Sequence, residues 1–132
     1  MVVGDPGSFR DPKGRVFFSD NRVLRGLRVS TTDVEELLSA GFIASGMKSG
    51  DIIATKLVED PSDLTIRTGD PEDTVWRSVM EHERLQVISY PFEWSLGMLT
   101  DAAELELRIA RQALADGWMT IDATPYNIQF VN

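Results

Sequence analysis

Between Ser95 and Ala115 the apolar residues Leu96, Leu99, Ala103, Leu107, Ala110 and Leu114 recur at steps of 3, 4, 4, 3 and 4. Only a helix brings those positions to one side, so the spacing predicts a helix of about 95–115 with this row as its buried stripe. Glu104 and Arg108 support it as an i,i+4 pair, and Gly117 ends it. Around this rod the chain offers short pieces. Val16–Phe18 and Val23–Leu24 flank Asp20-Asn21, a pair that tolerates turn geometry, and predict a β-hairpin. Ile52–Val58 is rich in β-branched residues and reads as a strand, as do Leu85–Tyr90, 118–121 and 128–131. Thr32 with Glu35 three residues on has the form of a capping box, which predicts a short helix near 32–41. Phe42–Met47 reads as a further helical turn closed by Gly50, and Val75–His82 as a short helix. Glycine and proline make irregular stretches of 1–14 and 59–73. The expected class is α+β: a small antiparallel sheet packed on one long helix (about 95–115), plus a short helix near 32–41.

With 132 residues the chain forms one domain at most. Thirteen basic against twenty-one acidic residues leave a net charge of −8, which argues against a broad nucleic-acid surface, because phosphate neutralisation needs clustered cations. There is no cysteine, so disulfides, thiolate metal sites and a cysteine nucleophile are excluded. No apolar run approaches the roughly 20 residues that span a bilayer, and the start shows no signal-peptide pattern. A cytoplasmic location is the expectation. The last apolar run stops at the final residues with no polar tail, so 1–132 is expected to be a single domain at the N-terminal side of a longer protein.

Chemistry concentrates near the C-terminal end. Asp122 and Asn127 stand five residues apart between two short apolar runs, and Pro125 lies between them. An aspartate and an asparagine so placed can accept a proton and hold a metal, or can cap backbone amides in a turn. Strand, proline turn, long helix, glycine and Asp-x-x-x-x-Asn resemble the middle of the protein-kinase and aminoglycoside-phosphotransferase fold. That resemblance implies Asp122 as the acceptor-orienting residue, Asn127 as a magnesium ligand and Lys56 as a phosphate-pairing lysine. It also implies a degenerate kinase-like layout with Tyr90, Glu93 and Trp94 as a cleft wall. Position 120 is Thr where that family has His, and no Gly-x-Gly-x-x-Gly precedes Lys56. Phe92 and Trp94 serve equally as core plugs. The only histidine, His82, sits between Glu81 and Glu83, either as an acid–base group or as a surface hydrogen-bonding residue.

A longer resemblance runs through most of the chain. Gly7–Phe17, Asn21–Leu27, Glu81–Leu99 and Asp122–Phe130 are similar, in order, to the N-terminal region of a bacterial class I S-adenosylmethionine-dependent methyltransferase family, nodulation-related in type. The resemblance implies an accessory or substrate-side region that precedes the catalytic domain. A site for that cofactor needs a glycine-rich turn between strand and helix, and Gly-x-Gly occurs nowhere in these residues. No cofactor is therefore expected in this chain, and S-adenosylmethionine is expected in the missing C-terminal methyltransferase domain. That domain is the expected partner, and self-association through 128–131 or the aromatics near Phe92 and Trp94 is also expected. The alternatives are a fragment of a kinase-like phosphotransferase that uses Asp122 and Asn127 with magnesium, and a non-catalytic interaction module.

Overall fold

A computed structural model describes residues 2–5, 13–60 and 76–131. Most of the expected lead-in 1–14 and of the expected loop 59–73 lies outside them. Five strands, β1 (Val2–Gly4), β2 (Gly14–Ser19), β3 (Arg22–Leu27), β4 (Thr55–Leu57) and β5 (Ser78–His82), form one sheet in the order β1-β2-β3-β5-β4. Every pairing is antiparallel. Among the described residues three helices, α1 (Thr31–Ser39), α2 (Gly41–Ser49) and α3 (Leu96–Ala115), accompany the sheet in an α+β architecture.

The hairpin is as expected. Ser19 pairs with Arg22, which leaves Asp20-Asn21 as a two-residue turn, and Asp20 takes φ 52°. Such a positive φ matches the twist of the flanking strands. Arg84 donates to the Asp20 carbonyl and to Asn21 Oδ1, both at 3.1 Å, and pins the turn. Phe17, Leu24 and Val79 meet on one face of the sheet, with Trp76 and Val58 packed over them. Trp76 lies edge-on to Phe17 and flat on Gly26, where a Cβ would fall 2.5 Å from the indole. Only glycine admits that approach.

Residues 78–82 form a strand, not the expected helix. Ser78, Val79 and Met80 are all buried because β5 lies inside the sheet, between β3 and β4, and is covered on both faces, so it shows no polar–apolar alternation to announce it. The strand expected at 52–58 shrinks to Thr55–Leu57. Those expected at 85–90, 118–121 and 128–131 are absent, and these segments run without strand pairing. The capping box of α1 uses Ser30 and Asp33 rather than Thr32 and Glu35. The further turn expected at 42–47 is a full helix, closed as expected by Gly50 at φ 85°.

The long helix is not the main cover of the sheet. α1 lies against β4, α2 against α1, and α3 against α2. α3 carries a second core of its own, in which Trp94, Ala102 and Ile128 are buried with Met98, Leu105 and Phe130 around them. Its buried face is therefore Met98, Ala102, Leu105, Ile109 and Ala113, not the expected leucine row. Leu96 (80% exposed), Leu107 (72%) and Leu114 (65%) face outward.

Candidate functional site

The loop after α3 turns at Gly117 and again at Asp122, which adopts φ 56°. Pro125–Asn127 forms a single 3-10 turn, with the Asn127 amide donating to Thr124 O at 2.9 Å. The Asn127 side chain donates through Nδ2 to the Asp122 carbonyl at 2.7 Å. The two residues are thus brought together, but through the backbone of one and the amide of the other. Asparagine closes the turn, and a left-handed aspartate makes its corner. Both side chains are exposed.

The Tyr90–Trp94 segment is equally occupied with its own geometry. Glu93 Oε2 accepts from the Tyr90 amide at 2.8 Å, and the Glu93 amide donates to Tyr90 O at 2.8 Å, a reciprocal cap around Pro91–Glu93. Trp94 is buried, with Nε1 donating to Ser89 Oγ at 2.9 Å. Tyr90 and Phe92 stack in parallel at 5.6 Å and remain exposed. The loop and this turn share one corner of the molecule. Gln129 Oε1 accepts from Ser89 N at 2.8 Å and Nε2 donates to Ser89 O at 3.0 Å, while Phe130 meets Trp94 edge to face at 5.0 Å. The 128–131 segment expected as a strand instead docks by a side chain, Gln129, that imitates a strand partner.

Lys56 stands apart from that corner. On β4 it is in register with Glu81 of β5, and its Nζ lies 3.3 Å from Glu81 Oε2. Glu81 also takes both prongs of Arg22, at 2.8 and 3.0 Å. The Arg22 guanidinium, and after it Lys56, hold the Glu81 carboxyl below its ordinary range. Among the described residues no hydrogen bond or ion pair joins Lys56 to the 90–94 turn or to Asp122 and Asn127. No group of three or more His, Asp or Glu there is placed to hold a metal ion, and no helix there is long and apolar enough to cross a membrane.

Two arrangements escape sequence reasoning. His82 Nδ1 lies 2.8 Å from Thr55 Oγ1, and that hydroxyl donates to Ile53 O at 3.0 Å, which leaves the imidazole proton on Nδ1. Burial, and secondarily the charge of Arg25, push its pKa down to about 4. His82 is a neutral structural group. The second is Asp116, just past α3, whose Oδ2 accepts from the Phe42 amide at 2.6 Å. α2 has no side-chain cap of its own, so Asp116 serves as one from 74 residues away. At the other end of α2, Asp51 pairs with Arg108 at 3.0 Å. The two clips make α2 and α3 antiparallel.

Over 130 residues the chain is 34% identical to the nodulation protein NoeA of Rhizobium meliloti (strain 1021). The match takes in 94% of this chain and 25% of NoeA, so the chain spans about a quarter of the length of that curated relative. No family model matches the sequence. No solved structure matches it either.

Proposed function

We propose that this chain is the N-terminal accessory, substrate-side region of a methyltransferase-like protein, with the S-adenosylmethionine site in a further domain. Support for the partial nature comes from the relation to one quarter of NoeA. Support for the methyl-transfer class comes from the ordered sequence resemblance. The observation that carries the division of labour is the sheet itself. Among the described residues all pairings are antiparallel. A nucleoside cofactor of this kind is held in the crevice at the carboxyl ends of parallel strands, next to a glycine-rich turn. An antiparallel sheet offers no such crevice. Isothermal titration of the chain with S-adenosylmethionine is expected to give no binding heat, while a NoeA-length protein binds it. One-to-one micromolar binding by the chain alone would overturn the assignment.

A phosphotransferase reading has one observation in its favour, the closeness of Asp122 and Asn127. Against it, only Asn127 Oδ1 and the Asp122 carboxylate are on offer, since Asn127 Nδ2 closes the turn. Magnesium prefers near-octahedral oxygen ligands and parts reluctantly with its waters, so two exposed groups hold it poorly. Millimolar magnesium with ATP is expected to leave the Asp122 and Asn127 amide NMR signals in place, and specific shifts there would restore this reading.

A further inference from the structure

The leucine row of α3 repeats every eleven residues: Leu96 with Leu107, Leu99 with Ala110, Ala103 with Leu114. An eleven-residue period stays in line along a nearly straight helix. The row lies beside the buried face of Met98, Ala102, Leu105, Ile109 and Ala113. Together they make an apolar arc of roughly 200°, at about 100° per residue, where a surface helix ordinarily needs little more than about 100°. The outer strip of that arc, Leu96, Leu107 and Leu114, is left exposed by the described residues. Between the two halves sits Glu106, partly buried, with an Oε1 that is buried and has no hydrogen-bond partner. A carboxylate oxygen withdrawn from water without a donor is costly.

That carboxylate decides what kind of surface fits. Two copies paired antiparallel through the centre of the row would set Glu106 against Glu106, because a twofold axis keeps each flank facing itself. Parallel pairing would set Glu106 between Glu104 and Arg111 of the second copy, one repulsive and one attractive, with no net gain from charge. Each copy also carries a net charge of −8. A second copy is therefore a poor occupant. We infer that the Leu96–Leu114 row is the seam on which another part of the longer protein docks, through an apolar surface that carries an arginine or lysine opposite Glu106. This rests on the reading of the chain as one region of a longer protein, for which the share of NoeA that it spans is the support.

The chain is free of cysteine, so Leu107→Cys gives it a single thiol on the exposed row. In the isolated chain that thiol should react with a soluble maleimide as a fully exposed group, at every protein concentration. In the full-length protein, the same substitution should be protected by at least about tenfold, equivalent to about 1.4 kcal/mol of closure. Glu106→Lys in the full-length protein should return labelling toward the isolated-chain rate, and Glu106→Gln should not. Equal labelling in both forms, or protection that grows with concentration in the isolated chain, would overturn the seam. Protection that survives Glu106→Lys would overturn the cationic partner. Calorimetry with S-adenosylmethionine on the same full-length sample separates the two failures: cofactor binding with an exposed thiol sinks the seam alone, and absence of cofactor binding sinks the methyl-transfer reading alone.

Discussion

His82 is the residue whose environment has the clearest solution consequence. Its pKa falls from 6.5 to about 4 in the fold. The unfolded chain therefore takes up a proton on acidification before the folded one does. Stability should fall as pH drops from about 6.5 to about 4, by a total on the order of 3 kcal/mol, and level off for this group below that. Glu81 and Asp33 have lowered carboxyl pKa values, the first through Arg22 and the second through Ser30, so their contributions are lost only in more acidic solution. Urea midpoints measured across pH 4–6.5 should show the slope in the wild type and lose most of it in His82→Gln, which keeps a donor for Thr55. The pair Asp122 and Asn127 shows the opposite lesson at this scale. Their spacing was legible in the sequence and their closeness follows from it, but five residues on a loop suit a turn as well as a site. The fold adds that Asn127 Nδ2 closes the turn on the Asp122 carbonyl, a bond that involves neither Asn127 Oδ1 nor the Asp122 carboxylate.

At the scale of elements, α3 was read correctly in extent and incorrectly in face. Helical periodicity identified the row of Leu96, Leu107 and Leu114, yet the second core takes the neighbouring row, in which Ala102 and Ala113 let the packed chain come close. Small side chains at the contact shorten the distance between elements, and large ones at the rim do not. Leu107→Ala should accordingly change stability by no more than about 0.5 kcal/mol, where burial of the row would have made it a cavity mutation. Ala113→Leu, at a position with no exposure, should cost about 1–3 kcal/mol through overpacking. Equal denaturant midpoints for the two variants would mean that the helix is rotated from the orientation described. For β5 and for 85–90 the local signal was misleading in both directions. A strand buried on both faces shows no alternation, and an apolar run that leads into a proline turn needs no strand partner when Gln129 satisfies its Ser89 backbone.

Across the whole molecule, the sheet core around Phe17, Leu24 and Val79 and the second core around Trp94 and Ile128 are joined through α1 and α2. The clips at the two ends of α2 hold that joint. Asp116→Ala removes a cap from the α2 N-terminus and should cost about 1 kcal/mol. Hydrogen exchange should rise first in the α2 amides that lose their acceptor, and uniform acceleration across the sheet would instead mean that the two cores unfold as one. What the sequence determined by itself was local: the Asp20-Asn21 hairpin and the positions of α1, α2 and α3. Each follows from near neighbours, through turn residues, caps and a 3.6-residue period. The tertiary structure decided which of two adjacent apolar rows on α3 is buried, that 78–82 is a strand between β3 and β4, and that Asp116 caps a helix 74 residues away. Those outcomes depend on which surfaces meet after the chain folds back, and a one-dimensional pattern records how apolar a face is without recording what arrives to cover it.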